Sequence, residues 1–308
     1  MSTTEKPSIL HQAMVGAMKL MRFSHRTAAD KLESVRKRDR TWTPPEPPKR
    51  LTEGMIVTQS SEHGWPVWSI KPVGAKSDRS VIVAVHGGGY TTEILYPQWS
   101  FYAFLAREGG AELIVPIYPL APHGTAGTVV PVVADIITEQ IDQHGAERVR
   151  LLGDSAGAGL IVAAAQELVR REREVPQRMV LISPWLNAAI DDPRSRQVDD
   201  PFGSVDALQE SGRLWAGNLG ATNPLASPLN GSFEGLPATW VYAGSRDMLY
   251  IDSVKLQERA IREHLPFVFD LRPGLIHGWA GFSFLPEAKE VAPRILAELT
   301  DPRISLPR

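Results

Sequence analysis

Short apolar runs alternate with helical patterns along most of this chain, and this alternation constrains its fold most strongly. Buried parallel strands are near-continuous apolar runs, whereas an amphipathic helix repeats apolar residues every three or four positions. The runs that fit buried strands are Val81 to Val85, Leu113 to Ile117, Arg148 to Leu152, Met179 to Ile182, Thr239 to Ala243 and Phe267 to Leu271. The alternation predicts an α/β fold with a mostly parallel, doubly wound central sheet flanked by helices.

Helical patterns fill several intervals between these runs. Two sets of residues with helical spacing are Val133, Ile137 and Ile141, and Val291, Ile295 and Leu299. Pro131 is expected in the first turn of its helix, and Pro293 is expected to kink or delay the last helix. Ahead of the alternation, β-rich sequence predicts two more strands, near Met55 to Gln59 and Val67 to Lys71.

Two segments stand outside the alternation and are predicted to form a helical cap. The first has apolar residues at helical spacing from Leu10 to Met21, then a basic cluster at residues 36–38 that is interpreted as a solvated face or linker. The second is turn-rich, with a short helix predicted from Val205 to Trp215. The predicted division is an N-terminal cap segment and linker at 1–48, a first core part at 49–186, a cap insertion at 187–230 and a second core part at 231–308.

The composition restricts the classes of function. The chain has 308 residues, 43% of them hydrophobic, a formal net charge of -2 and no cysteine. The near-neutral charge disfavours a nucleic-acid partner, and the absence of thiols excludes disulfides, cysteine nucleophiles and thiolate metal sites. We expect no metal and no cofactor. Because His11, Gln12 and Lys19 interrupt the apolar stretch near the N-terminus, no signal peptide or membrane insertion is expected, and a cytoplasmic location is predicted.

A G-x-S-x-G pattern at residues 153–157 makes Ser155 the candidate nucleophile. In this pattern the serine occupies a sharp turn between a strand and a helix, so that its hydroxyl is exposed at the end of a sheet. The context fits, because the predicted strand Arg148 to Leu152 precedes the motif and the helix-forming run Leu160 to Ala165 follows it. A serine that only caps a helix is the alternative interpretation of the motif alone.

Three consecutive glycines follow another predicted strand, in the run His86 to Tyr90. Side chains do not obstruct the backbone N–H groups of such a loop, which suits a loop that approaches a developing oxyanion. The N–H groups of Gly88, Gly89 and Ala156 are the predicted oxyanion donors. A flexible turn and a phosphate-binding loop are the alternatives, but the run matches neither G-x-x-x-x-G-K-[ST] nor G-x-G-x-x-G.

A candidate acid and a candidate base follow the last two predicted strands. Asp247 comes after the strand that begins at Thr239, and His277 comes after the strand that begins at Phe267. Each alone has an ordinary alternative, a turn-forming Asp or a polar His with satisfied hydrogen bonds. Together with Ser155 they occur in the chain order Ser, Asp, His, which is that of an α/β-hydrolase triad. The sequence therefore predicts that these three residues are catalytic.

At these positions the chain resembles the hormone-sensitive-lipase-like family of α/β-hydrolases, a group of carboxylesterases and lipases. The motifs that carry the resemblance are His86 to Tyr90, Tyr118 to Pro122, Gly153 to Gly157, Ser183 to Leu186, Pro224 to Pro228, Gly235 to Pro237, Asp247 to Leu249 and His277-Gly278. The resemblance implies a helical cap, and it implies that His86 and Gly87 support the oxyanion loop without reacting. Members often self-associate through sheet edges, so a homodimer is compatible with it.

The residues and the resemblance together predict a serine carboxylic ester hydrolase that acts on a small-molecule ester through an acyl-enzyme. Large residues such as Phe202, Trp215 and Trp279 indicate a limited pocket and hence short to medium acyl chains, although core packing explains aromatic residues equally well. An amidase or acyltransferase using the same triad is one alternative. A ligand-binding receptor on the same fold that has lost catalysis is another, and the presence of His277 argues against it.

Overall fold

The computed structural model describes residues 6–21, 27–41, 43–75 and 79–304. The strands found there are β1 (Met55–Ser60), β2 (Val67–Pro72), β3 (Val81–Val85), β4 (Glu112–Pro116), β5 (Val149–Asp154), β6 (Arg178–Ile182), β7 (Ala238–Arg246) and β8 (Phe267–Ile276). The α-helices found there are α1 (Ile9–Leu20), α2 (Ala28–Thr41), α3 (Tyr96–Gly109), α4 (Ala126–His144), α5 (Ala156–Arg170), α6 (Val205–Ala216), α7 (Tyr250–Glu263) and α8 (Pro286–Thr300). Each strand predicted from the sequence is present, and β7 and β8 extend further toward their carboxyl ends than predicted.

Within the described residues the strands form an eight-stranded sheet in the order β1-β2-β4-β3-β5-β6-β7-β8. β2 pairs antiparallel with both β1 and β4, and all neighbours from β4 to β8 are parallel. Because parallel strands end at the same edge of a sheet, the segments that follow β3, β5, β7 and β8 meet there. These segments carry the glycine loop, Ser155, Asp247 and His277. The predicted α/β class with a mostly parallel sheet is confirmed.

Alternate side chains of the central strands pack into two cores, one on each face of the sheet. Val81, Val83 and Val85 of β3 belong to the core that includes residues of α4 and α5. Ile82 and Ala84 belong to the other core, which includes residues of α3 and α8. When successive side chains of a strand are buried on alternate faces of a sheet, the strand sequence is a continuous apolar run. The sequence pattern therefore located these strands.

Neither of the two helix prolines lies at the start of its helix. Pro131 was expected in a first turn, but α4 begins five residues earlier, at Ala126. The start lies there because Thr128 Oγ1 accepts the backbone N–H of Thr125 at 3.0 Å and so fixes the first turn. Pro293 does not delay the last helix either, since α8 already begins at Pro286 and includes it.

The two predicted cap segments both contain helices. The short helix predicted in the insertion is present as α6, and α2 packs against it. The basic cluster at residues 36–38 lies within α2 and is not a linker. Arg36 and Lys37 are exposed, but Arg38 donates to the carbonyl oxygens of Thr91 at 3.0 Å and Ala121 at 3.1 Å. These bonds tie α2 to loops of the core.

The division into two cap segments and two core parts stays a prediction. Across the ranges that the structure describes, none of the helices combines the length and apolarity needed to cross a membrane.

Candidate active site

Ser155 occupies the turn between β5 and α5 with a strained backbone. Its φ of 53° and ψ of -121° lie in a region that non-glycine residues rarely adopt. The surrounding structure holds this conformation, because the Ser155 N–H donates to Ile182 O at 2.9 Å and its carbonyl accepts the N–H of Trp185 at 3.0 Å. Gly157 permits the close approach, since an added Cβ would lie 2.1 Å from Val85 O. This is the sharp strand-to-helix turn that the motif predicts.

The glycine loop that follows β3 lies beside this turn. Gly88 and Gly89 have positive φ angles of 124° and 61°, and both line the same cavity as Ser155. Ala156 is the first residue of α5, where backbone N–H groups have no partner within the helix. The three predicted oxyanion donors therefore come from the glycine loop and from a helix N-terminus, which both present N–H groups.

His86 is buried and contacts the loop it precedes. Its Nδ1 lies 2.7 Å from Gly87 O, and because a carbonyl oxygen only accepts, Nδ1 must be the donor. The ring stacks on Tyr118 at 4.6 Å between centroids. Burial lowers the pKa of His86 to about 4, so the imidazole is neutral near pH 7. These contacts hold the peptide between Gly87 and Gly88 in place.

Asp154 connects the serine turn to the glycine loop. Its Oδ1 accepts the N–H of Gly87 at 3.1 Å, and its Oδ2 accepts Nε2 of Gln98 at 2.8 Å. Burial raises the pKa of Asp154, although both hydrogen bonds oppose that rise. The carboxylate therefore fixes the two loops relative to each other, as a structural role requires.

Asp247 and His277 form a hydrogen-bonded pair. His277 Nδ1 donates to Asp247 Oδ2 at 2.8 Å, and Asp247 Oδ1 accepts the N–H of Leu249 at 2.8 Å. Asp247 is fully buried. Burial by itself would lower the pKa of His277, but the charge and hydrogen bond of Asp247, with smaller contributions from Asp200 and Asp154, raise it to about 9. The pair thus holds one tautomer of the imidazole and leaves Nε2 for chemistry.

A cavity of about 460 Å³ brings the predicted residues together. Ser155, Asp247, His277, Gly88 and Gly89 all line it. Both predicted cap segments reach the same cavity, through Met18, Lys31, Phe202 and Leu208. A volume of this size is typical of a site for a small molecule.

Two of the three aromatic residues expected at the pocket lie elsewhere. Trp215 and Trp279 are fully buried in the core and are not among the residues that line the cavity. Trp215 stacks on Tyr90 at 4.2 Å between ring centroids, so its size serves packing. Phe202 does line the cavity, and its ring centroid lies 5.4 Å from that of His277.

Sequence reasoning gave no role in the site to Asp200, which is buried beside the His277–Asp247 pair. The sequence signal was the run Asp199-Asp200-Pro201, but a short acidic run in a turn-rich segment is usually solvated.

The chain matches known proteins over most of its length. Residues 82–281 match the family described as the alpha/beta hydrolase fold. A triacylglycerol lipase of Mycobacterium tuberculosis is 42% identical over 236 residues, which are 76% of this chain and 49% of the lipase. An acetyl-hydrolase of Streptomyces hygroscopicus is 29% identical over 235 residues, which are 73% of this chain and 78% of that protein. The match therefore spans about half the length of the lipase and more of the acetyl-hydrolase.

Among solved structures, the chain is similar to an esterase from the bacterial hormone-sensitive lipase family. The TM-score is 0.77 at 24% identity, and the match covers 96% of this chain and 98% of that one. At this identity the likeness shows a shared fold. The chain belongs to the α/β-hydrolase family, and its resemblance to the hormone-sensitive-lipase-like members is confirmed. The curated relatives are named as a lipase and an acetyl-hydrolase, which are names of the type that the motifs predict.

Proposed function

We propose that this protein hydrolyses carboxylic esters through a triad of Ser155, His277 and Asp247. The observation that carries the proposal is their placement around one cavity: a serine on a strained turn, and a histidine whose Nδ1 is bonded to a buried carboxylate. The chain order and the strand ends on which the residues lie support the same assignment.

In the proposed first step, Ser155 Oγ attacks the ester carbonyl carbon while His277 Nε2 accepts the hydroxyl proton. Asp247 stabilises the resulting imidazolium through the bond at Nδ1. The tetrahedral intermediate then expels the alcohol, which takes the proton from His277, and the acyl group remains on Ser155. Water attacks the acyl-enzyme with the same base, releases the acid and regenerates the serine.

The N–H groups of Gly88, Gly89 and Ala156 are the proposed donors to the oxyanion. The two glycines line the cavity, and Ala156 follows the nucleophile directly at a helix N-terminus. One well-placed donor of this kind is typically worth roughly 3 to 4 kcal/mol in the transition state. His86 and Asp154 support the loops without reacting, because both are already bonded to the loop they hold.

We propose short to medium acyl esters as substrates. The cavity volume of about 460 Å³ and its largely apolar lining suit a small ester. Two relatives are named for acetyl and ethyl acetate hydrolysis, at 29% and 27% identity, which favours the short end of that range. The lipase relative extends the range to be tested toward longer chains.

The testing experiment is a series of p-nitrophenyl esters from acetate to palmitate, run beside matched p-nitroanilides. The proposal predicts the highest kcat/KM for acetate to octanoate, and much slower anilide hydrolysis. A preference for anilides would indicate an amidase, and acyl transfer to an added alcohol that outpaces hydrolysis would indicate an acyltransferase. No turnover of any ester by the folded protein would favour a receptor.

Ser155→Ala is the matched control for this series. Loss of the nucleophile should lower kcat by on the order of a millionfold, because triad members act as a unit. Circular dichroism should remain that of the wild type, since the side chain is small and lies at the cavity. A folded variant that kept most of the activity would place the nucleophile elsewhere.

A further inference from the structure

Asp200 is a buried carboxylate that the cap insertion brings to the reacting groups. It is 7% exposed and lines the cavity together with Asp247 and His277. Its Oδ1 accepts the N–H of Phe202 at 2.7 Å, and its Oδ2 accepts the N–H of Met248 at 3.0 Å. A buried carboxylate is unfavourable unless hydrogen bonds or opposite charge offset its lost hydration. Both of its oxygens are therefore committed to fixed backbone donors.

One of these donors belongs to the turn that carries Asp247. Met248 follows Asp247 directly, and the next N–H, that of Leu249, donates to Asp247 itself at 2.8 Å. Two successive N–H groups of the turn are thus held by two carboxylates, one from the cap and one from the turn. Both bonds lie in the turn from which Asp247 reaches His277.

The same geometry places two carboxylates near one imidazole. Burial and the charge of Asp247 raise the pKa of Asp200 to about 6, while the charge of His277 lowers it. The titratable groups whose charges act on His277 are Asp247, Asp200 and Asp154, and Lys31 of α2 lines the same cavity. Because both oxygens of Asp200 accept backbone N–H groups, the site suits the ionised carboxylate, whose charge adds to the negative field at the imidazole.

We infer that Asp200 is a positioning residue, which holds the turn carrying Asp247 and adds its own negative charge to the field that favours protonated His277. The inference rests on the proposed triad, in which the imidazolium forms as Ser155 loses its proton. A fixed second carboxylate stabilises that charge as it develops. The cap insertion therefore contributes to the chemistry as well as enclosing the substrate.

Three variants test this role. Asp200→Asn keeps the shape of the side chain but removes its charge and one acceptor oxygen, whereas Asp200→Glu keeps the charge. Asp199→Asn is the matched control, because it makes the same charge change at the preceding residue. The Asp199 carboxylate is exposed and pairs with Lys19 at 2.5 Å and Arg246 at 3.1 Å. For each protein, kcat and KM with p-nitrophenyl butyrate are measured from about pH 5 to about pH 10.

Asp200→Asn should lower kcat by about tenfold with KM within about twofold, because the substrate-binding surface is nearly unchanged. The acid-limb midpoint of its kcat/KM profile should move to lower pH, since the imidazolium loses a stabilising charge. Asp200→Glu should restore the wild-type midpoint, and Asp199→Asn should leave both quantities unchanged. A folded Asp200→Asn with the wild-type midpoint and kcat, or an equal shift in Asp199→Asn, would overturn the inference.

A titration of the unaltered protein gives a second test that does not depend on how the Asp200 variants fold. The imidazole NMR signal of His277, assigned by its loss in His277→Gln, is followed against pH. Because Asp200 and His277 interact, the signal should show a main step and a smaller one at lower pH, where Asp200 is protonated. A single step would show that the two groups are not coupled, against the inference.

Failure of the inference is distinguishable from failure of the proposed triad. A Ser155→Ala variant that stays active rejects the triad, whatever the Asp200 variants do. If Ser155→Ala is inactive and the pH profile of kcat/KM for Asp200→Asn matches that of the wild type, only the role of Asp200 is rejected.

Discussion

Gly88 has a φ of 124°, and a Cβ added there would lie 2.3 Å from the carbonyl oxygen of Thr92. Residue 88 therefore has to be glycine both for its backbone angle and for the space around it. The same loop peptide faces the cavity beside Ser155, so a distortion at residue 88 moves a proposed oxyanion donor. The proposed catalysis therefore depends on the backbone conformation of this loop as well as on the three proposed catalytic side chains.

Gly88→Ala should lower kcat on the order of 100-fold with little change in KM, because the displaced donor acts mainly in the transition state. Gly54→Ala is the matched control, since it makes the same change at a φ of 75° with no atom within 4 Å of the new Cβ. Steady-state kinetics with p-nitrophenyl butyrate give kcat and KM for both variants. Equal kcat values for the two variants would argue against a role of this loop in catalysis.

Single residues also show how far the sequence could predict the site. Ser155, Asp247 and His277 were located because each directly follows a strand, and the strand pattern depends on local burial. Asp200 could not be located in this way, because its carboxylate reaches Met248 only through the packing of a segment without strands. For Trp279 the sequence left a position at the pocket and packing in the core equally open, because a large side chain indicates burial but not which cavity or core it fills.

Among the elements, α1 is attached next to the proposed catalytic histidine. His11 of α1 is fully buried, and its Nε2 accepts the N–H of Ile276, the residue before His277, at 3.3 Å. At the start of the helix, the N–H of Ser8 donates to Glu287 at 2.6 Å. The apolar spacing predicted this helix, but contacts across more than 260 residues lie beyond any local pattern. Since Met18 lines the cavity, the attachment of α1 also shapes the substrate site.

His11→Ala should weaken the docking of α1 by about 1 to 3 kcal/mol, because Ile276 loses a buried acceptor and the ring leaves a void. The expected result is faster limited proteolysis within α1 and a rise in KM larger than the fall in kcat. Gln12→Ala is the control, since its side chain is exposed and its Nε2 donates to Pro7 O of the same segment at 2.7 Å. Unchanged proteolysis of His11→Ala would refute the attachment.

At the scale of the whole molecule, the protonation state of His277 affects both the proposed catalysis and the stability of the fold. The folded protein raises the pKa of this imidazole from 6.5 to about 9, so it binds the proton more tightly than the unfolded chain does. The resulting stabilisation is fully present below pH 6.5 and is lost as pH rises through about 9. The base form that catalysis requires is thus the form in which the fold is less stable.

The thermal midpoint should therefore fall between about pH 7 and about pH 9, and the fall should be smaller in His277→Gln, which cannot titrate there. Differential scanning calorimetry at constant ionic strength measures the thermal midpoint of the wild type and of His277→Gln at each pH. Buried acids do not mask the effect. Burial raises the pKa values of Asp252 and Glu298 to about 7, so these groups stabilise the fold when protonated. Most of that stabilisation is already lost as the pH rises to about 7, before His277 titrates. An equal fall in His277→Gln would assign the pH dependence to other groups.

The central claim, that Ser155 is an activated acyl-accepting nucleophile, is tested most directly by intact-mass spectrometry after treatment with an organophosphonate that labels active serines. The account predicts one adduct on the wild-type protein, located at Ser155, with esterase activity lost in proportion to labelling. Ser155→Ala should remain unlabelled. Rapid labelling of Ser155→Ala, or a folded wild-type protein that hydrolyses esters yet takes up no label at Ser155, would contradict the account.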